Sequence, residues 1–386
     1  MKIRDIKSYV LKYDLNQELG FSQSYFNSRT AHIVEVFTDE GVTGIGEVFG
    51  SGNIALGNSA IIDKVIKPMI IGDNPLYTES IWHKVYNNLR DHGQKGMPIQ
   101  CLSGVDIALW DIIGKVYGKP LYVLLGGKFR NNIKVYGYGM LFRKVKDLAQ
   151  SFAEEAVKLK EMGFDAIKMK IGKSPEEDII LVESVRNAIG YNIKLMVDAN
   201  HAYNTSVSIP LGRELERLKV YWFEEPVAPE DIEGYLETKN SLDIPIAGGE
   251  CEFTRWGFKN LISNRCVDIL QPEVCACGGI TEFRKIVAMA SSWGIPIVPH
   301  VWGSSIAIAV NIHIIASLPD VPGAFSPVEP MLEYDTTPNI FREKLSVEPI
   351  NVLDNVKKNK GYIEILEKPG IGIELERRLL KHYKIN

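Results

Sequence analysis

The order of apolar and polar positions divides the chain into two parts. In the first 50 residues, apolar and charged residues alternate, and two β-branched runs within residues 32–50 flank a turn signal at residues 39–41. This pattern predicts an antiparallel meander. Between residues 58 and 118, apolar residues recur at i, i+3 and i+4 in three stretches, which predicts three helices. Strands followed by helices indicate an α+β unit.

After residue 130, short apolar runs typical of strands alternate with amphipathic helical stretches. Ser174-Pro175 followed by Glu177 has the form of a capping box, with a serine cap and a proline at the first helical position. The candidate strands lie at residues 133–140, 166–170, 195–200, 221–226, 244–250, 268–273 and 295–300. The second part of the chain is therefore predicted to repeat a strand, a loop and a helix.

Polar residues at the ends of these strands recur at a nearly constant interval. The steps are 28, 26, 26, 23 and 27 residues, counted along Lys170, Asp198, Glu224, Glu250, Glu273 and His300. This interval is the length of one β/α unit, so seven strands and an eighth within residues 325–334 would close a TIM-type barrel. The alternative is an open doubly wound sheet without a closing strand. The barrel is favoured because its active sites are built at the carboxyl ends of the strands.

Composition and charge exclude several classes of protein. The 386 residues are 45% hydrophobic, and 48 acidic against 44 basic residues give a net charge of −4. This balance offers no basic surface for nucleic acid or for an anionic membrane. The five cysteines have neither zinc-finger nor disulfide spacing, and we find no signal peptide and no apolar run of 18 residues. We expect a soluble, cytoplasmic protein with reduced thiols.

Three carboxylates end consecutive strands, namely Asp198, Glu224 and Glu250. Adjacent strands lie about 4.8 Å apart, so these side chains can converge at the barrel mouth. Without a cation they would repel one another, whereas a hard divalent ion binds carboxylate oxygens. We therefore predict a Mg²⁺ site. The alternative is that each acid is solvated or caps the next helix.

Candidate bases flank this site. Lys168 and Lys170 face the same side of their strand, and a lysine beside a metal could act as a base; the alternative is a salt bridge to a carboxylate. His300 and Glu273 end two neighbouring strands and could form a dyad in which the carboxylate orients the imidazole. Two bases flanking a metal-bound carboxylate suit removal of the adjacent proton, because a cation stabilises the resulting enediolate.

Several motifs resemble the mandelate racemase subgroup of the enolase superfamily, and they occur in the same order through nearly the whole chain. The motifs are SGVDIALWDIIGKVYGKPLYVLLGG, AIKMK, MVDAN, FEEP, AGGE, QPE followed by Gly278-Gly279-Ile280, PHVWG and PGIGIE. The resemblance implies an α/β fold, a modified TIM barrel of the (β/α)7β type. It also implies an N-terminal α+β capping domain completed by the C-terminal segment. We place the capping domain at residues 1–126, the barrel at 127–346 and the C-terminal segment at 347–386.

The resemblance also implies roles for individual residues. Asp198, Glu224 and Glu250 would bind Mg²⁺, Lys170 would be one base, and His300 with Glu273 would be the other. Lys168 would assist Lys170 electrostatically, and Asn200 would contact the substrate.

This chain departs from the family pattern at two places. Glu273 stands where the family usually has aspartate. Because glutamate is longer by one methylene, its carboxylate could shift the imidazole of His300. The eighth strand offers both Glu329 and Glu333, and the LEYD run favours Glu333 as the group that hydrogen-bonds the substrate.

The activity implied by the resemblance is Mg²⁺-dependent dehydration of an acid sugar, an aldonate or aldarate, to a 2-keto-3-deoxy acid. The first alternative is a racemase or epimerase of a 2-hydroxy acid that uses the same two bases. Cycloisomerases and dipeptide epimerases are less expected, because those that resemble this chain have lysine at the position of Glu273. A barrel that binds a ligand without catalysis is a further alternative, which would predict broken ligands or bases.

Substrate specificity is expected to come from capping loops near residues 15–30 and 50–56. Phe21, Tyr25 and Phe26 suggest a mobile lid with an aromatic contact. The resemblance implies that the protein forms a homo-oligomer, a dimer or an octamer. It also implies that the protein binds a small acid sugar as its substrate.

Overall fold

The computed structural model describes residues 1–323 and 327–386, and it begins with a three-stranded antiparallel sheet in the order β1-β2-β3. The strands are β1 (Ile3–Phe21), β2 (Ser24–Thr38) and β3 (Thr43–Val48). The turn between β2 and β3 contains the turn signal at residues 39–41, and the predicted meander is confirmed.

Helices cover the sheet from residue 52 onwards. They are α1 (Gly52–Ile61), which continues through a π-helical turn (Ile62–Ile66) into α2 (Lys67–Ile70), then α3 (Thr78–Leu89), α4 (Met97–Tyr117) and α5 (Leu121–Leu124). The central helix α4 packs against β3 with its apolar face buried. The three predicted helical stretches all lie in this unit.

The second unit alternates strands and helices. Its elements are β4 (Asn132–Tyr138), α6 (Leu148–Glu161), β5 (Ala166–Lys170), α7 (Pro175–Ile189), β6 (Lys194–Asp198), α8 (Thr205–Arg217), β7 (Phe223–Glu224), α9 (Ile232–Ser241), β8 (Ile246–Gly248), α10 (Thr254–Ser263), β9 (Ile269–Leu270), α11 (Gly279–Ser292), α12 (Ser305–Ser317) and β10 (Met331–Asp335). The Oγ of Ser174 accepts a hydrogen bond from the backbone N of Glu177, so the predicted cap at the start of α7 is confirmed.

These strands form a parallel sheet in the order β10-β4-β5-β6-β7-β8-β9, and a bridge from Leu270 to Ile297 adds the seventh strand position. One buried cluster contains a side chain from each of the eight positions: Tyr136, Ala166, Met196, Trp222, Ala247, Ile269, Val298 and Met331. Side chains from all eight strands meet only inside a barrel. The predicted fold class, a modified (β/α)7β TIM barrel with an α+β capping domain, is confirmed.

The predicted strands are longer than the observed ladders at several positions. The eighth strand lies at Met331–Asp335, at the end of the predicted range, while residues 325 and 326 lie outside the described residues. Glu250, Glu273 and His300 follow their ladders by two or three residues and so lie in the loops at the barrel mouth. The polar residues that end these predicted strands are therefore not part of the hydrogen-bonded sheet but follow it at the barrel mouth.

The C-terminal segment contains α13 (Ile340–Lys344), α14 (Val352–Lys358), β11 (Tyr362–Glu364) and α15 (Arg377–Tyr383), and it contacts both units. Strand β11 pairs antiparallel with β4 of the barrel. Arg377 forms an ion pair with Glu35 of β2 at 2.6 Å. The division of the chain at residues 126 and 346 stays a prediction.

The segment at residues 15–30 is a strand hairpin, not the loop that we predicted. Strands β1 and β2 pair as far as Phe21 and Ser24, which leaves a two-residue tip. At this tip, Ser22 donates a hydrogen bond to the carbonyl oxygen of Ala199 at 2.8 Å, where β6 ends. The predicted loop at residues 50–56 is also mostly helical, because α1 begins at Gly52. Apolar and polar residues do not alternate regularly in this hairpin. Its structure therefore depends on the pairing of β1 with β2 and on the contact of its tip with the end of β6.

Close packing of β3 on α4 depends on glycine. A Cβ added to Gly46 would lie 2.0 Å from the carbonyl oxygen of Gly104. We expect Gly46→Ala to lower the free energy of unfolding by about 1–3 kcal/mol, because overpacking displaces the helix. Equilibrium urea unfolding measures this effect, and the control is Gly323→Ala, whose Cβ would meet none of the described residues within 4 Å. Equal stability of both variants and the wild type would contradict the packing.

Candidate active site

Three carboxylates from consecutive strand ends meet at the barrel mouth. Asp198 ends β6, Glu224 ends β7 and Glu250 follows β8. Each offers an oxygen, and these atoms lie within 4.8 Å of one another. The β/α repeat brings them together, because residues one repeat apart occupy equivalent positions on neighbouring parallel strands.

Neighbouring groups fix two of these carboxylates. The backbone N of Asn200 donates to Asp198 Oδ1 at 2.8 Å. Trp222 Nε1 and Gln271 Nε2 donate to Glu224 Oε2 at 3.0 and 2.8 Å. Glu250 Oε2 has no hydrogen-bond partner in the described part of the chain, although His300 Nε2 lies 3.3 Å from it. The cluster therefore keeps carboxylate oxygens available for a cation.

Both lysines of β5 make the salt bridges that our alternative interpretation anticipated. Lys168 Nζ lies 2.7 Å from both Glu224 Oε1 and Glu333 Oε1, and Lys170 Nζ contacts Asp198 Oδ2. Burial would lower the pKa of each lysine, but the carboxylates outweigh it and raise both above their ordinary value. A cation at Asp198 would compete with Lys170 for the same oxygen.

His300 and Glu273 form the predicted pair. The Nδ1 of His300 lies 2.9 Å from Glu273 Oε2, and the other oxygen of Glu273 accepts a hydrogen bond from the backbone N of Cys275 at 2.9 Å. The extra methylene of glutamate therefore leaves the contact intact. Burial would lower the pKa of His300, but Glu250, Glu273 and Glu333 raise it to about 10.

The structure separates the two eighth-strand candidates. Glu333 lies at the site, where its Oε2 accepts a hydrogen bond from the backbone N of Val301 at 3.0 Å. Glu329 instead accepts from the hydroxyl of Tyr362 at 3.4 Å, away from the mouth. Asn200 lines the cavity, and its Oδ1 is buried without a hydrogen-bond partner among the residues described. The roles predicted for these residues stay predictions.

The balance of charge favours a bound cation. Around the mouth, the carboxylates of Asp198, Glu224, Glu225, Glu250, Glu273 and Glu333 outnumber the cations that contact them among the described residues, which are Lys168, Lys170 and the imidazolium of His300. Burial, and repulsion between neighbouring carboxylates, raise the pKa of both Glu224 and Glu250 to about 7. A cluster of three carboxylate oxygens suits a hard divalent ion such as Mg²⁺.

A cavity of about 550 Å³ opens above this cluster, and both units line it. From the capping hairpin come Phe21, Tyr25 and Phe26, and from the barrel come Lys170, Asn200 and His300. In the barrel order, β10 and β4 separate β5 from the Ile297 segment on one side, and four strands separate them on the other. Lys170 and His300 therefore approach the cavity from different sides.

Sequence reasoning missed Arg29, which also lines this cavity. Its guanidinium lies over the rings of Phe26 and Trp302, at 5.0 and 5.6 Å from their centroids, and its Nη2 lies 3.1 Å from Asp335. Its position on a long, polar hairpin gives no periodic signal, so only the docked fold shows that Arg29 reaches the mouth.

Glu47 of β3 was missed as well, although an acid in the apolar run GIGEVFG is an unusual signal. It is buried, and its carboxylate accepts hydrogen bonds from the backbone N and Oγ of Ser304 and from the backbone N of Ala307, at 2.7–3.1 Å. Burial raises the pKa of Glu47 to about 7 against the effect of these donors. Glu47 thus caps α12 of the barrel from the capping unit.

Two family models match the chain. Residues 17–126 match the N-terminal domain of mandelate racemase and muconate lactonizing enzyme, and residues 151–379 match the enolase C-terminal domain-like family. Together they cover β2, β3, the capping helices and all barrel strands after β4.

Relatives share the full length of the chain. The D-galactarolactone cycloisomerase of Agrobacterium fabrum is 38% identical over 100% of this chain and 99% of its own. The arabinonate dehydratase of Saccharolobus solfataricus is 35% identical, covering 99% of each chain. Both names describe enzymes that act on acid sugars or their lactones.

Solved structures agree with the fold. The 3,6-anhydro-D-galactonate cycloisomerase of Zobellia galactanivorans superimposes with a TM-score of 0.88 at 35% identity, and each chain is fully covered. A racemase of Streptomyces coelicolor with bound magnesium gives 0.87 at 26% identity, covering 99% of this chain and 100% of its own.

The capping role of Glu47 can be tested by Glu47→Ala. We expect the free energy of unfolding to fall by about 1–3 kcal/mol, because the donors of Ser304 and Ala307 would be buried without an acceptor. The exposed Glu237 on α9 offers the matched control, Glu237→Ala. Urea unfolding measures both variants, and equal stability of the two would contradict the cap.

Proposed function

The chain belongs to the mandelate racemase and muconate lactonizing enzyme family of the enolase superfamily, and on this premise we propose that it eliminates a β-oxygen from an acid sugar. The reaction is dehydration of an aldonate or aldarate to a 2-keto-3-deoxy acid. One observation carries the proposal: Lys170 and His300 approach one cavity from different sides of a carboxylate cluster.

The carboxylate cluster is the proposed place of a metal. Asp198, Glu224 and Glu250 would hold Mg²⁺, and when bound the ion supplies positive charge that stabilises the substrate carboxylate as it gains a second negative charge. Lys168 adds a fixed positive charge below the cluster, between Glu224 and Glu333.

The chain's own bases move the protons. A cation at Asp198 would remove the contact that raises the pKa of Lys170, and nearby positive charge favours the neutral amine. As that amine, Lys170 takes the proton from C2 of the substrate, and the C–H electron pair forms an enediolate. The enediolate then expels the oxygen at C3, to which the imidazolium of His300 gives a proton, so that water leaves. The resulting enol becomes the 2-keto-3-deoxy acid by protonation at C3. Glu273 holds the imidazole through Nδ1, which directs Nε2 at the reacting groups.

Cycloisomerisation is a second candidate, because relatives with this activity share 38% and 35% of their residues with the chain. Our expectation that set cycloisomerases aside is therefore too narrow. The same groups serve this reaction when the leaving oxygen at the β-carbon belongs to a ring, since the ring opens and no water is lost.

Mass balance distinguishes the candidates. The protein is incubated with Mg²⁺ and a library of aldonates, aldarates and their lactones in D₂O, and products are followed by mass spectrometry and NMR. Loss of water with a new 2-keto group identifies a dehydratase. A keto acid that is isomeric with its lactone, apart from deuterium taken up at C3, identifies a cycloisomerase. Deuterium at C2 without elimination would replace both with a racemase. No turnover and no exchange on any compound would contradict the proposal.

Removal of either base tests its role. We expect Lys170→Ala and His300→Asn each to lower kcat by about 10²–10⁴-fold, because proton transfer at the reacting carbon is lost. Lys158→Ala and His83→Asn, at exposed helical positions, should retain wild-type kcat. Steady-state kinetics measures all four variants, and full activity of Lys170→Ala or His300→Asn would remove that residue from the mechanism.

Metal affinity tests the carboxylate cluster. Glu250→Gln removes one ligand charge, so we expect Mg²⁺ affinity to fall by about 10–100-fold in isothermal titration calorimetry. Glu237→Gln should bind as the wild type does. Unchanged affinity of Glu250→Gln would contradict its assignment as a ligand.

A further inference from the structure

A second group of metal-binding side chains lies beside the carboxylate cluster. His201 follows Asp198 by three residues, and Glu225 and Cys251 directly follow Glu224 and Glu250. The three side chains each offer a ligand atom, and these atoms lie within 4.8 Å of one another. The mechanism above uses none of them.

One of the two carboxylate oxygens of the buried Glu225 has no hydrogen-bond partner in the described part of the chain. Its side chain is 1% exposed; Oε2 lies 3.2 Å from His201 Nδ1, while Oε1 has no hydrogen-bond partner within the described ranges. An unsatisfied oxygen on a buried carboxylate is costly unless a cation lies nearby. Glu225 therefore points to a positive ligand.

The other two side chains connect this group to the cavity. His201 and Cys251 both line the cavity wall, and the side chain of His201 is 27% exposed. Cys251 is only partly buried, whereas the other four cysteines are buried, and all five thiols are free. A cation that enters the cavity can reach this thiol.

We propose that His201, Glu225 and Cys251 bind a thiophilic divalent cation such as Zn²⁺ at the cavity wall, next to the carboxylate cluster. Imidazole, carboxylate and thiolate are ligands that Zn²⁺ uses together, and three protein ligands leave a fourth position open to water. In a tetrahedral site these donor atoms would lie about 3.3–3.8 Å apart, so small side-chain rotations complete the site. The thiol proton leaves to solvent when the ion binds.

Charge permits this ion in addition to Mg²⁺. The six carboxylates at the mouth exceed Lys168, Lys170 and the imidazolium of His300 by three charges, and one divalent cation compensates only two of these. An ion held by His201 and Cys251 would occupy part of the cavity wall, so excess Zn²⁺ should inhibit turnover at saturating Mg²⁺.

Co²⁺ is the probe for this site, because a cobalt–thiolate bond gives a near-ultraviolet charge-transfer band that carboxylate ligands do not give. The full chain is titrated with CoCl₂ at saturating MgCl₂. In the wild type and in the control Cys266→Ser, we expect the band to saturate at one equivalent of Co²⁺ per protein. We expect no band in Cys251→Ser, and we expect added Zn²⁺ to remove the band from the wild type.

A wild type without the band, or a Cys251→Ser variant that keeps it, would overturn the proposal. Circular dichroism checks that Cys251→Ser folds. If it does not fold, His201→Asn replaces it, and we expect Co²⁺ affinity to fall by about 10–100-fold; unchanged affinity would overturn the proposal. The band reports binding without turnover, so its absence leaves the proposed reaction untouched.

Discussion

Uncompensated negative charge at the barrel mouth is the constraint on which the site depends. The β/α repeat places carboxylates at equivalent positions on neighbouring strands, where burial and mutual repulsion oppose their ionisation. Lys168 offsets part of this charge through contacts with Glu224 and Glu333, and Lys170 contacts Asp198. The remaining excess is the physical reason that the proposed mechanism needs a divalent cation, and it also explains why a second cation could be tolerated.

The capping unit completes the site that the barrel begins. The hairpin tip donates hydrogen bonds to the end of β6 through Ser22, while Glu47 caps α12 directly after the loop that carries His300. Arg29 of the hairpin lines the same cavity, with its guanidinium over the rings of Phe26 and Trp302. The cavity thus exists only where the two units meet, which agrees with substrate specificity that depends on the cap.

Much of this arrangement follows from local sequence patterns. The spacing of about 26 residues predicted the barrel and the meeting of Asp198, Glu224 and Glu250, because each β/α unit has a fixed length. The pairing of His300 with Glu273 followed from their equivalent places on adjacent strands.

Other features depend on contacts between residues far apart in the chain. Glu47 and Ser304 are 257 residues apart, and no periodic pattern connects them. The hairpin at residues 15–30 lacks apolar alternation, so its docking on β6 could not be predicted. The FEEP motif contains two successive glutamates, and only Glu224 was predicted to have a function, because Glu225 does not follow the spacing of the strand ends.

The location of the cation is the most direct test of this account. Crystals grown with MnCl₂, an ion that prefers the same oxygen ligands as Mg²⁺, would show the site by anomalous scattering. We predict one dominant peak bounded by Asp198, Glu224 and Glu250, with Lys170 displaced from Asp198. If the barrel mouth shows no anomalous peak at saturating Mn²⁺ and Lys170 still contacts Asp198, the claim that a divalent cation compensates the negative charge of this cluster would be contradicted.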